Sequence, residues 1–302
     1  MPPPPAAPPP LQASAPPRAG DTHVLITGFG PFGSIVTDTN PSWLAIQALH
    51  NTLLAPAAPQ PASDSDSRRV HIQVLQSAVC YSHILSLVPR LHGCPPSLHS
   101  EPWLDPRGAA PVAGCGPQGS GKPYPAGYAL QHPPGGFDVV LHVGVGHAGN
   151  LAVEQLAHKR RYQMTDARGE HAPRALDQSA LAEPAAPQRV ADTSCVRGFA
   201  EGYEAFQEEE RSSVDVAALV EWLKRQGTEH VRPSLDAGRF LCDFIYYASL
   251  CEAQRARPRR EQAGKAGATV LFIHVPPVGE PLSLAEMTEG LRGAAWWLAT
   301  QK

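Results

Sequence analysis

Residues 137–145 read FDVVLHVGV, a run that is apolar almost throughout and rich in β-branched side chains. A strand with only one face in the core alternates apolar and polar residues. A near-continuous run of this length instead suits a strand buried on both faces, the position of a central strand in a parallel sheet. VLFIHV at 270–275 repeats the pattern, and HVLIT at 23–27 and VHIQVLQS at 70–77 supply two further strands. Helical signals lie between them. Asn40-Pro41-Ser42 offers an N-cap and a proline at the first helical position, ahead of the apolar residues of WLAIQALHNTLL. His83–Leu91 reads as a short helix. Val216, Leu219, Val220 and Leu223 form a stripe over Val214–Arg225, which Gly227 closes as the C′ residue. Phe240–Leu250 is a further helix, and Ser283 with Glu286 makes a capping box that opens another over Ser283–Ala299. Strands alternating with helices predict an α/β fold, doubly wound around a mostly parallel or mixed sheet.

The remainder of the chain sets bounds on this domain. Of 302 residues 33 are Pro, well above the roughly 5% of average usage, and they are gathered in particular segments. The Pro/Ala tract at 1–20 has too little apolar surface to offset its ordering entropy and is predicted to be a disordered tail. Residues 55–68 read as a linker, and 93–135, rich in Pro and Gly with neither period, as a long surface insertion. The expected organisation is therefore a tail over 1–20 and one domain over 21–302. A formal net charge of -3 gives no electrostatic reason for nucleic acid as a partner. No run approaches the ~18 apolar residues of a membrane span. The N-terminus lacks the apolar core of a signal peptide, and the six cysteines show no C-x-x-C pairing. These features predict a cytoplasmic protein with reduced thiols.

Some motifs imitate cofactor sites. LITGFGPFG at 25–33 matches the G-x-G-x-x-G turn of dinucleotide-binding proteins through Gly28, Gly30 and Gly33. That turn must open directly into a helix whose N-terminus meets the pyrophosphate. Here Pro31 and two Phe side chains occupy the turn, the helix signal arrives only at Asn40, and no acidic residue stands near position 53 to hold a ribose. The stretch GPQGSGK at 116–122 resembles a P-loop, but Pro123 replaces the Ser or Thr that would hold Mg²⁺. His92, Cys94, His99 and Cys115 fit no compact zinc spacing. No cofactor and no metal are expected.

Three other segments carry nucleophilic chemistry. Glu154 lies in HVGVGHAGNLAVEQ, just beyond the central strand; Cys242 lies in SLDAGRFLCDFIYYAS, near the start of a helix; His274 lies in VLFIHVPP, at the close of a strand. In open α/β sheets function gathers at the carboxyl ends of strands and at adjoining helix N-termini. A thiol near a helix N-terminus has its thiolate favoured by the macrodipole, an imidazole can take its proton, and a carboxylate can orient that imidazole. From pattern alone His142 and His147 compete with His274 as the base.

These segments, together with TGFGPFG followed by NPSW, resemble the pyroglutamyl peptidase I (pyrrolidone-carboxylate peptidase) family in its animal-type form. DAGRFLCDFIYYAS matches the family's nucleophile motif with Cys242 at the cysteine. FIHVPPVGEPLS matches the histidine motif with His274 as the base, and the family's acidic residue falls on Glu154. The matches occur in family order and span most of residues 22–302. The resemblance implies a single three-layer αβα domain and a cysteine omega-peptidase that removes N-terminal pyroglutamyl residues from peptides, without cofactor. It places the GFGPFG loop at the substrate, with Phe29 and Phe32 as the expected wall for the lactam ring. It also implies an arginine on the oxyanion side, for which Arg168 is the best counterpart, with Arg160 and Arg161 as alternatives. The bacterial members' Gln-containing stretch is here GVGHAGN, so no Gln contact carries over. Two other readings compete: a peptidase-like interaction or scaffold protein without activity, and a nucleoside phosphorylase-type enzyme. The second would need phosphate and nucleoside contacts for which no residues stand out.

Overall fold

The structure is a computed structural model and describes residues 5–13, 18, 20–30, 40–55, 69–93, 128, 130–133, 135–175 and 196–301. Among these, β1 (Leu11–Ala13) and β2 (Thr22–Phe29) precede α1 (Pro41–Gln47), and β3 (Thr52–Leu54) and β4 (Val70–Ser77) precede α2 (Tyr81–Leu91). Then come β5 (Val139–Val145), β6 (Leu151–Glu154), β7 (Leu156–His158), β8 (Glu209–Arg211) and α3 (Val216–Arg225). The chain continues through β9 (Val231–Ser234), α4 (Leu241–Gln262), β10 (Thr269–Val275) and α5 (Leu284–Thr300).

The run FDVVLHVGV supplies β5, which lies inside the sheet and is parallel to both neighbours, β2 and β10. The sheet order is β1-β3-β4-β2-β5-β10-β6-β9. Its middle, β4-β2-β5-β10, is parallel; β3 and β6 run against it, and β9 runs with β6. Val24, Ile26, Leu141, Val143 and Ile273 face helices α1, α3 and α5, whereas Leu25, Val140 and Phe272 face α2 and α4. Burial of the central strands on both faces explains why their residues do not alternate in polarity. The result is the three-layer αβα arrangement with a mixed, mostly parallel sheet. No helix among the described residues is long and apolar enough to cross a membrane.

Local signals account for three of the five helix starts among the described residues. Asn40 caps α1 through its side chain, which accepts from the Ser42 N–H at 3.0 Å. Ser283 and Glu286 form the complete capping box of α5. Asp215 caps α3, and Gly227, with φ 93°, follows its C-cap in the left-handed region.

Other elements differ from their expectations. The apolar run after Asn40 does not stay helical to Leu54. The left-handed Asn51 (φ 55°) turns the chain, and buried Leu53 and Leu54 enter β3. Helix α4 continues past Leu250, its end as expected from the sequence, to Gln262. Pairs such as Arg257–Glu261 at 2.9 Å support its last turns. The tract at 1–20 is also not uniformly a free tail: Leu11–Ala13 pairs antiparallel with β3 at the sheet edge. Proline restricts the chain before folding, so fixing it costs less entropy than composition suggests. The other residues of that tract (1–4, 14–17, 19), residues 56–68 of the linker and most of 93–135 lie outside the described residues, as do the P-loop-like stretch, Cys94, His99 and Cys115.

Candidate active site

Strand register brings the acid and the imidazole together. In the antiparallel pair β10·β6, Phe272 lies opposite Glu154 and His274 opposite Ala152. Glu154 and His274 are therefore diagonal neighbours on one face, within reach of each other for long side chains. His274 Nδ1 is 2.9 Å from Glu154 Oε1. Sequence reading sets Glu154 just past the HVGV strand; it instead ends a strand of its own, β6, too short for its period to stand out. The Glu154 side chain is 2% exposed and that of His274 is 12% exposed, so the pair is dry on the carboxylate side and open on the imidazole side.

Helix α4 covers the same face and delivers the thiol. Cys242 is its second residue, half-buried and in the free thiol form. The helix is held to the carboxylate strand by Tyr246, whose hydroxyl donates to the Glu154 carbonyl at 2.9 Å. Its first turn is anchored by buried Asp243, which accepts from the Tyr162 hydroxyl at 2.8 Å and the His158 N–H at 3.2 Å. Burial raises the Asp243 pKa against the opposing pull of His158 and Tyr162. On β5, a Cβ added at Gly144 would come within 2.7 Å of Cys242 Sγ and 2.8 Å of Phe272 Cζ. The glycine of HVGV is thus a requirement of how closely the sulfur approaches the sheet.

The electrostatics favour a charged imidazole. Burial alone would push His274 toward neutrality, but the Cys242 side chain, hydrogen-bonded to the ring, and the Glu154 carboxylate together raise its pKa to about 10. The rival His142 has a different setting. It is fully buried, shares a hydrogen bond of 2.7 Å with Thr27, and is driven down to about 3 chiefly by burial, which holds it neutral. His147 is exposed and lies at the rim of the cavity.

Cys242, His274 and Glu154 open onto a cavity of about 420 Å³. Phe29, Val79, Phe240 and Leu241 give it apolar lining, while Asn150, Arg232, Ser234 and Asp236 give it polar lining. The Phe29 N–H donates to Ser42 Oγ at 3.0 Å, and Asn40 Nδ2 donates to the Gly30 carbonyl at 3.2 Å. A Cβ at Gly28 would lie 2.8 Å from the Ser42 carbonyl oxygen. The glycine that imitates a nucleotide fingerprint therefore lets the end of β2 seat against the N-terminus of α1. Of the expected ring wall, Phe29 lines the cavity and Phe32 lies outside the described residues. Arg168 is exposed in the turn at 166–170 and is not among the lining residues. That turn still connects to the cavity wall, because the Ala167 N–H donates to the Val79 carbonyl at 3.0 Å. Arg160 pairs with Glu208 at 3.2 Å. The β9 wall, with Arg232, Ser234 and Asp236, is missing from the sequence reading: VRPS carries a proline and no apolar period. Among the described residues no group of three or more His, Cys, Asp or Glu side chains is placed to hold a metal ion.

No family model matches the chain. It is 27% identical to pyroglutamyl-peptidase 1 of Rattus norvegicus over 271 residues, which is 89% of this chain and 86% of the relative. It is 26% identical to pyroglutamyl-peptidase 1 of Homo sapiens over the same shares. Its fold is similar to the crystal structure of pyroglutamyl peptidase I from Bacillus amyloliquefaciens, with a TM-score of 0.54 and 20% identity, covering 92% of this chain and 97% of that one. In sequence and in fold, this chain resembles pyroglutamyl peptidase I.

Proposed function

We propose that this protein is a cysteine omega-peptidase that removes N-terminal pyroglutamyl residues from peptides through Cys242, His274 and Glu154. The observation that carries the reading is the convergence of these three side chains on one cavity, with His274 Nδ1 2.9 Å from Glu154. The names of the similar proteins support the choice of substrate.

In this mechanism the Cys242 thiolate attacks the carbonyl carbon that joins pyroglutamate to the next residue. The developing oxyanion is met by the Cys242 backbone N–H, which in the first turn of α4 has no intrahelical acceptor. His274 gives its Nε2 proton to the leaving amine, the C–N bond breaks, and a pyroglutamyl thioester remains on the sulfur. Neutral His274 then takes a proton from water, the resulting hydroxide attacks the thioester, and the thiolate leaves as pyroglutamate is released. Glu154 holds the ring through Nδ1 and stabilises the imidazolium in each half-reaction. The apolar lining formed by Phe29, Val79, Phe240 and Leu241 suits a small, neutral lactam. Phe32 is proposed as the second ring contact, and Arg168, whose turn is joined to Val79 of the cavity wall through the Ala167 N–H, as the oxyanion-side arginine.

The purified protein should release chromophore from a pyroglutamyl amide and leave the corresponding prolyl amide intact, since the latter lacks the lactam carbonyl. No turnover of the pyroglutamyl compound, or equal turnover of both, overturns the reading.

A further inference from the structure

The proline-rich N-terminal tract, MPPPPAAPPPLQA over 1–13, is a motif for which the peptidase reading has no use. Its described part crosses α3 and α5 before pairing with β3. The Trp222 indole N–H donates to the Pro5 carbonyl at 2.8 Å, the Trp296 indole N–H to the Ala6 carbonyl at 3.0 Å, and Arg292 Nη1 to the Pro9 carbonyl at 2.7 Å. Beyond them Gln12 Nε2 donates to the Ala55 carbonyl at 3.2 Å, and Leu11–Ala13 completes the strand pairing.

Both tryptophans are nearly buried, at 1% and 7% exposure. With the segment in place both indole N–H groups are paired with its carbonyls, and a buried N–H left without an acceptor would cost about 1–3 kcal/mol. A proline-rich segment is well suited to provide such acceptors. A polyproline II backbone makes no internal hydrogen bonds and leaves its carbonyls available, and its prolines have little freedom left to lose on binding. A Cβ on Gly293 of α5 would lie 3.1 Å from Leu223 and 3.4 Å from Trp222, so its absence lets α3 rest directly against α5. Aromatic walls with hydrogen-bond donors are the means by which proteins grip P-x-x-P segments, and Pro5-Ala6-Ala7-Pro8 has that spacing.

We infer that the α3–α5 face built by Trp222, Trp296 and Arg292 is a recognition site for a proline-rich, polyproline II segment, filled here by the chain's own residues 5–12. These helices pack on the face of the sheet opposite to the one that carries Glu154 and His274. The inference stands apart from the peptidase reading and leaves hydrolysis unaffected. A segment tethered in the same chain competes at an effective concentration of order mM, so a free peptide should bind the intact protein on the order of tenfold more weakly than a chain lacking the segment.

The test is a titration of a synthetic peptide of residues 1–13 into the intact chain and into a chain lacking those residues, followed by tryptophan fluorescence. The shortened chain should emit at longer wavelength than the intact one. It should bind the peptide one to one with reversal of that shift, and bind it on the order of tenfold more tightly than the intact chain does. A shortened chain with unchanged circular dichroism that neither shifts its emission nor binds the peptide overturns the inference. If the shortened chain fails to fold, Trp296→Phe in the full chain decides. Faster hydrogen exchange at Leu11–Ala13 than in the unaltered protein supports the site, and unchanged exchange there contradicts it.

Discussion

His274 is subject to two opposing influences. Burial disfavours its charge, while the Cys242 sulfur and the Glu154 carboxylate favour it, and the balance leaves its pKa at about 10 against 6.5 for a free imidazole. Because the folded value is raised, the stabilisation gained from the charged ring is complete below pH 6.5 and is lost as pH rises through about 10. The same direction applies to activity, since His274 must carry the proton that it gives to the leaving amine. The alkaline limb of kcat/KM should therefore lie nearer 10 than 6.5, and Glu154→Gln, which removes one of the raising charges, should move it to lower pH. A pH–rate series on both proteins checks this. An alkaline limb near 6.5 in the unaltered protein, or one that the substitution leaves in place, contradicts the assignment.

At the scale of elements, the site is a product of register and helix placement. Diagonal pairing of β6 with β10 sets Glu154 beside His274, and α4 lowers Cys242 onto the same face. Gly144→Ala should put a methyl group 2.7 Å from Cys242 Sγ. Relief of that overlap should cost about 1–3 kcal/mol of stability. Moving the sulfur by as little as ~1 Å should lower kcat/KM by about 10²-fold. Urea unfolding and steady-state kinetics measure the two effects. Much of this was legible in the chain. FDVVLHVGV announced a doubly buried strand, Asn40 and Ser283 announced helix starts, and Cys242, Glu154 and His274 stood at element ends where chemistry collects. What could not be read depended on contacts distant in sequence. The β9 wall has no apolar period, β6 is only 4 residues long, and the split of WLAIQALHNTLL between helix and strand turns on one left-handed residue, Asn51. Pattern alone leaves His142, His147 and His274 open, and it is the family resemblance that singles out His274. His142 points into the core against Thr27, and its sequence neighbours give no sign of that.

Across the whole molecule the sheet separates the two proposed sites by face and by end. The carboxyl ends of the parallel strands, Phe29 at the end of β2 among them, and the first turn of α4 line the cavity. On the opposite layer α3 and α5 present two indoles and a guanidinium to a proline-rich segment whose last residues extend the sheet edge. A tract that composition assigns to a free tail is thus partly integrated, its carbonyls accepting from Trp222, Trp296 and Arg292. The fold matters to catalysis mainly through rigidity. The thiol, imidazole and carboxylate come from α4, β10 and β6, three elements fixed against one another by Tyr246 to Glu154 and by Asp243 to Tyr162 and His158. Hydrolysis of a pyroglutamyl amide by the unaltered protein and by Cys242→Ala, both shown to be folded, tests the central claim most directly. The account predicts turnover by the first and a loss of at least about 10³-fold in the second; comparable turnover by both proteins would contradict it.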